Sequence, residues 1–131
     1  MIDYEVQVFN RAHAKAASLC ASKRFVSTAI TEAPTAFPAA SLIEVSNTTV
    51  RRLQTSTPVE NFAVITYQLD VYATSKSGCK SVLSAVDEAM IAMNFTRISG
   101  TYISNATNTK VFRYTARYDA MIDQDGNIYR R

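Results

Sequence analysis

The chain has 131 residues, a length that predicts one domain. Apolar residues make up 47% and charged residues 19% of it, which excludes a largely disordered protein, and no apolar run approaches the ~20 residues of a membrane-spanning helix. The formal net charge of +3 is spread along the chain, so contact with a polyanion is permitted without the concentrated positive face of a typical nucleic-acid-binding protein.

The first predicted element is a helix over residues 2–22. Apolar residues recur there at three- and four-residue steps, and several alanines add helix propensity. The predicted apolar stripe consists of Ile2, Val6, Phe9, His13, Ala16, Ala17 and Cys20. A short β-prone segment follows at residues 24–30, and two prolines within residues 31–38 then interrupt regular structure.

Two strands and a loop come next. Residues 39–50 predict a strand, and the polar residues 51–61 predict a long exposed loop. The clearest strand is residues 62–73, in which every second residue is apolar and is expected to face the core. That core-facing set is Ala63, Ile65, Tyr67, Leu69 and Val71.

A second helix is predicted over residues 78–93, with Ser75 or Ser77 as its N-cap and Asn94 near its end. Its apolar residues follow the spacing of one helix face. They are Cys79, Val82, Leu83, Val86, Ala89, Met90 and Met93.

The remaining residues predict a hairpin-rich end. Residues 95–104 and 110–122 are predicted strands separated by a turn at 105–108, and the Asp125-Gly126 pair predicts that residues 127–130 fold back. The order is therefore α-β-β-β-α-β-β(-β). This order predicts an α+β fold, with a mostly antiparallel β-sheet and two helices packed on one face.

Residue types that carry chemistry are sparse. His13 is the one histidine and lies on the predicted apolar stripe, while Cys20 and Cys79 are predicted to be buried free thiols. Asp123 to Asn127 superficially resembles a calcium loop but lacks its closing glutamate, which favours a turn. The acidic amino terminus is unlike a secretory signal, so we expect a reducing cytoplasm. We expect no catalytic centre, no cofactor and no metal site.

Polar side chains alternate along the two longest predicted strands. Arg113, Thr115, Arg117 and Asp119 share one side of the later strand, and Thr66, Gln68 and Asp70 share one side of the earlier strand. Such a sheet face is either solvated or meets a neighbouring subunit or a shared lumen. Both interpretations are open at the level of sequence.

The layout resembles the tail terminator (tail completion) proteins of long-tailed bacteriophages. The resemblance runs through the amino-terminal helix, the proline-bearing approach to the strand at residues 37–45, the polar loop, the strand at 65–72 that leads into the helix capped near Ser77, and the closing strand at 111–118. It implies a ring, usually a hexamer, that caps the tail tube, ends tail polymerisation and joins the filled head. The implied partners are further copies of the chain, the tail tube protein, the head–tail connector protein and genomic DNA passing through the lumen without sequence-specific binding.

Two sets of residues are candidates for contact surfaces. Arg51, Arg52 and Gln54, in the polar loop, are candidates for contact with the tube or the connector. The candidates for a subunit interface or lumen are Asp70, Arg113, Arg117 and Asp119. In this interpretation the protein is a virion component assembled in the host cytoplasm, and it is not an enzyme.

Two alternative functions remain. One is a head-completion or neck adaptor protein, which also forms a ring. The other is a small nucleic-acid-binding sheet domain, which would stack bases on outward aromatic rings among basic residues. Alternation places Tyr114 and Tyr118 on the face opposite Arg113 and Arg117, which disfavours that second alternative.

Overall fold

The computed structural model describes residues 1–20, 25–28, 37–50, 56, 61–103 and 111–130, and within them the chain forms two α-helices and six strands. A one-turn 3₁₀ helix, Ala17–Leu19, follows the first α-helix. In chain order the elements are α1 (Glu5–Ala16), β1 (Phe25–Val26), β2 (Ala39–Thr49), β3 (Phe62–Ala73), α2 (Lys76–Ala92), β4 (Thr96–Ile103), β5 (Phe112–Asp123) and β6 (Ile128–Tyr129).

The strands form one sheet in the order β1-β2-β3-β5-β4, and β6 pairs with the end of β5. Every pairing is antiparallel except that of β1 with β2, which is parallel. The two long central strands, β3 and β5, pair over their whole length from Phe62 opposite Asp123 to Ala73 opposite Phe112. The predicted α+β fold with a mostly antiparallel sheet is confirmed.

Both helices pack on the same face of the sheet. The core cluster joins Val8 and Ala12 of α1, Val86 of α2, Leu69 of β3 and buried residues of the other strands. All seven apolar residues predicted for α2 are buried, and so are the five core-facing residues of β3. Burying a side chain such as valine or leucine stabilises the fold by roughly 1.5–3 kcal/mol, so this apolar layer fixes the position of the sheet beneath the helices.

The second helix begins at Lys76, two residues earlier than predicted, and Ser75, one of the two predicted N-cap residues, caps it. The Ser75 hydroxyl accepts a hydrogen bond from the Gly78 backbone N–H at 3.1 Å, which satisfies one of the amide groups that a helix start leaves unpaired. Asn94, just beyond the end of the helix, has a φ of 69°, a conformation in which asparagine is tolerated better than most residues. Neither α1 nor α2, the α-helices of the described part of the chain, is long and apolar enough to cross a membrane.

The first helix is shorter than predicted, and its predicted stripe is confirmed in part, because Ala16, Ala17 and Cys20 are buried. It begins at Glu5 rather than at residue 2, and Val6, predicted to be in the core, is 67% exposed. The buried residues of α1 are Val8, Ala12 and Ala16. The many alanines are compatible with more than one apolar stripe, so residue spacing alone did not distinguish the exposed Val6 from the buried Val8.

The carboxyl-terminal hairpin is confirmed. Gly126 has a φ of +83°, β6 pairs back onto β5, and the Asp123 carboxylate accepts hydrogen bonds from the backbone N–H groups of Asp125 and Asn127, each at 2.9 Å. This is the turn that was predicted in place of a calcium loop. The predicted turn at 105–108 and most of the predicted loop at 51–61 lie outside the described residues.

Candidate functional site

A row of polar side chains crosses the sheet on the face that the helices leave uncovered. The register places Gln68 of β3 opposite Arg117 of β5, and Asp70 opposite Thr115. Because side chains alternate between faces, these residues and Arg113 all point away from the helices. We call Gln68, Asp70, Arg113, Thr115 and Arg117 the polar ladder.

Asp70 is the centre of the polar ladder. Its side chain accepts hydrogen bonds from Thr115 Oγ1 at 2.6 Å, from Arg113 Nη2 at 3.1 Å and from Gln68 Nε2 at 3.1 Å. Asp70 itself is only 7% exposed. A nearly buried carboxylate with three donors is well satisfied, so Asp70 fastens β3 to β5 within the subunit.

The two arginines of the polar ladder are held differently. Arg113 forms the ion pair with Asp70, and its guanidinium also lies 5.5 Å from the centre of the Tyr72 ring. Arg117 is exposed and donates from Nε and Nη2 to the amide oxygen of Gln68, at 3.2 and 3.0 Å. In the part of the chain that the structure describes, no carboxylate forms an ion pair with Arg117. Arg117 therefore presents a positive charge at the surface.

The structure brings together all four residues predicted for a subunit interface or lumen. Asp119 lies on the same face, opposite Thr66 of β3 and Thr96 of β4, and is nearly buried. With Asp70 of β3 and with Arg113 and Arg117 of β5 it gives this sheet face a strip of four charged residues. The other predicted set, Arg51, Arg52 and Gln54, lies outside the described residues.

On the helix side of the sheet, two tyrosine hydroxyls donate hydrogen bonds to carboxylates, one on α2 and one on β2. The sequence did not predict either bond. The Tyr118 hydroxyl donates to Asp87 Oδ1 of α2 at 2.9 Å, and Asp87 also pairs with Arg97 of β4 at 3.5 Å. The Tyr67 hydroxyl donates to Glu44 Oε1 of β2 at 3.3 Å. Burial is the main cause that raises the pKa of both tyrosines, so both hydroxyls stay protonated as donors.

Three carboxylates gather where the amino terminus meets β2. In the described ranges, Asp3, Glu5 and Glu44 form the group whose oxygens come close enough, within 4.8 Å of one another, to hold a metal ion. Burial raises the pKa of Glu44, the negative charges of Glu5 and Asp3 raise it further, and the hydrogen bond from Tyr67 opposes them. Exposed acidic groups of this kind are common without a metal, so the geometry defines a negatively charged patch.

The groups that most often act as nucleophiles or bases serve packing. Burial raises the pKa of the Cys20 thiol to about 11 and also raises that of Cys79, so both remain protonated at neutral pH and are poor nucleophiles. The His13 ring packs against the rings of Phe9 and Phe25, with ring centres 5.6 and 5.9 Å away. These three residues pack in or against the core.

Comparison with known proteins agrees with this geometry. The family model described as "Tail completion protein gp17" matches residues 6–123, from the start of α1 to the last residue of β5. No curated protein matches the chain. The match covers most of the chain and every element of the sheet except β6. The chain therefore belongs to the tail completion protein gp17 family, and it is a structural protein of the bacteriophage tail and so a component of the virion.

Proposed function

We propose that the protein forms a ring, with six copies as the expected number, that caps the tail tube, ends tail polymerisation and presents the surface that joins the head. Membership of the tail completion family supports a place at the end of the tail. A closed ring requires each subunit to present two different and complementary patches, because repeated heterologous contacts close only by rotation. A capped tube stops growing because the far face of the ring does not offer the contacts that a further layer of tube protein needs.

The observation that supports the proposal is the polar ladder on the sheet face that neither helix covers. An apolar face left without a layer would be a liability in water, whereas these side chains are hydrogen-bonded to one another and tolerate solvent. We therefore assign this face to the lumen of the ring. A lumen lined in this way suits a channel that stays filled with water until DNA passes.

The charges of the strip also fit the passage of DNA. Arg113 and Arg117 contribute two positive charges, and Asp70 and Asp119 contribute two negative charges, so the strip is formally neutral. Strong binding to a nucleic-acid backbone depends on neutralising many phosphates with unpaired cations. A strip with equal numbers of positive and negative charges presents few unpaired cations, so DNA slides past it without being held.

The nucleic-acid-binding alternative receives no support from the aromatic residues of β5. Tyr118 is fully buried on the helix side, and the Tyr114 ring packs against Tyr102 at 4.7 Å on that same side. Neither ring is placed to stack on a base among Arg113 and Arg117. The neck adaptor alternative predicts the same ring with a different neighbour, so only a binding experiment separates the two.

The experiment is a polymerisation assay with the tail tube protein, followed by electron microscopy. We expect added protein to shorten the tubes in proportion to its concentration and to be visible at one end of each tube. The head–tail connector protein, added afterwards, should bind only capped tubes. Tubes of unchanged length, with the protein bound to the connector alone, would contradict tube capping and favour the adaptor function.

A further inference from the structure

One edge of the sheet is open and apolar. In the described part of the chain β4 pairs only with β5, and its residues are exposed over almost the whole strand. Ile98 is 53% exposed, and Tyr102 and Ile103 are each 37% exposed. The strand has no proline or lysine, the residues that commonly prevent an edge from pairing with another chain. Such an edge is typical of a strand that another chain extends.

Positive charge lies directly above that edge. The Lys76 ammonium of α2 stands 5.5 Å from the centre of the Tyr102 ring, and Lys80 follows one helical turn later on the same side of α2. Arg97 of β4 is 46% exposed beside Asp87. We call this surface the basic flank: Lys76, Lys80, Arg97, Ile98, Tyr102 and Ile103.

The opposite edge of the sheet carries the opposite charge. β1 pairs only with Ala40 and Ser41, so within the described residues no strand covers the outer edge of β2 beyond them. The carboxylates of Asp3, Glu5 and Glu44 gather there, because the Asn47 side chain of β2 donates to the Ile2 carbonyl at 2.8 Å and holds the amino terminus against the strand.

Exposed apolar side chains accompany these acids. Val6 of α1 and Val45 of β2 are 67% and 41% exposed. Burial and the nearby charges of Glu5 and Asp3 raise the pKa of Glu44, and an approaching cation would stabilise its charged form. We call this surface the acidic flank: Asp3, Glu5, Val6, Glu44 and Val45.

We propose that the basic flank of one subunit binds the acidic flank of the next copy of the chain, an inference that rests on the proposed ring. Both flanks expose apolar side chains beside their charges, the charges are opposite, and the flanks lie at opposite edges of one sheet, so the contact is heterologous and repeats around an axis. Pairing of two basic flanks, which would give a closed dimer, is disfavoured because Lys76 and Lys80 would face the same residues of the partner.

The strand directions agree with this arrangement. Successive pairings from β2 to β3, β5 and β4 are all antiparallel, so β2 and β4 run in opposite directions. Rotation about an axis along the strands places β4 of one subunit antiparallel to β2 of the next. The sheets then surround the lumen, the helices lie outside, and the polar ladder lies inside.

The test is a set of charge reversals, read out as the mass of the assembly in low salt with and without tail tube protein. Lys76→Glu combined with Lys80→Glu, and separately Asp3→Lys combined with Glu5→Lys, should each weaken subunit association at least tenfold. All four changes in one chain should restore the ring. Lys76→Glu places a negative charge in the first turn of α2, which the helix dipole favours, and circular dichroism of each charge-reversed protein separates loss of folding from loss of assembly.

Arg117→Glu is the matched control, since it reverses an exposed charge on the lumen face and should leave the ring intact. Wild-type rings together with intact rings of both charge-reversed proteins would overturn the flank contact while leaving the proposed function standing. Failure of the four-change chain to reassemble would also overturn it. A wild-type chain that stays monomeric even with tube protein would refute the ring itself, and this inference with it.

Discussion

Replacing Asp70 with alanine is expected to destabilise the subunit far more than replacing Arg117, although both belong to the polar ladder. Asp70 is nearly buried and accepts three hydrogen bonds, one of them from the Arg113 guanidinium. Arg117 is exposed and bonds only to Gln68 among the described residues. The two changes therefore separate a residue that holds the sheet from one that is displayed on it.

The size of the expected loss of stability depends on the hydrogen-bond donors that lose their acceptor when Asp70 is replaced. A hydrogen bond to a charged group contributes about 1.5–3 kcal/mol, and a buried donor left unpaired costs about 1–3 kcal/mol. Arg113 keeps a third of its side chain exposed, and Thr115 is half-buried, so both recover part of their loss by binding water. We expect Asp70→Ala to lower the free energy of unfolding by about 2–3 kcal/mol, at or just below the ~3–5 kcal/mol typical of a broken buried pair, because Arg113 is partly exposed. Arg117→Ala should lower it by less than about 1 kcal/mol.

Urea unfolding followed by circular dichroism measures both differences, and thermal unfolding checks them. For a chain of this length the loss at Asp70 corresponds to a midpoint about 10 °C lower. Measurements belong at a concentration where the subunit is monomeric, because assembly would add its own stability. If Asp70→Ala and Arg117→Ala changed the free energy of unfolding equally, the assignment of Asp70 as the internal fastening between β3 and β5 would be refuted.

Two further changes test the core and the acidic flank. Val86→Asp should prevent cooperative folding, because Val86 is fully buried and the cost of burying a carboxylate there is comparable to the whole ~5–15 kcal/mol stability of a domain. A soluble variant with a sharp thermal transition would contradict the packing of α2. Glu44→Gln should stabilise the monomeric subunit near neutral pH. The pKa of Glu44 is raised in the folded state, so its protonation stabilises the fold fully below the ordinary value of 4.5, and this contribution is lost as the pH rises through the raised pKa. The advantage of the variant should therefore vanish in thermal unfolding below pH 4.5, and an advantage that is independent of pH would contradict this cause.

The sequence predicted best those helices and strands whose own residues show a regular apolar period. Residue spacing predicted every buried residue of the α2 stripe, and alternation predicted the core-facing side of β3, because burial on one side imposes those periods directly. The stripe of α1 was predicted less well. Alanine is compatible with either face of a helix, so residue spacing alone did not distinguish Val6, which is exposed, from Val8, which is buried.

The pairings that form the candidate surfaces could not be predicted in the same way. Alternation along each strand predicted the faces of Asp70 and Arg113. Their ion pair, however, requires β3 and β5 to be paired strands, and the order of elements in the sequence does not specify that pairing. The acidic flank joins Glu5 of α1 to Glu44 of β2, and the basic flank joins Lys76 of α2 to Tyr102 of β4. Each is created by packing between elements far apart in the chain, so only the structure reveals it.

The most direct test of the central claim is the mass of the purified protein by light scattering at several concentrations, alone and with the tail tube protein. We predict an assembly of about six copies, formed either alone or on addition of the tube protein, and dissociating as the salt concentration rises. A monomer under every one of these conditions would contradict the ring and the capping function built on it.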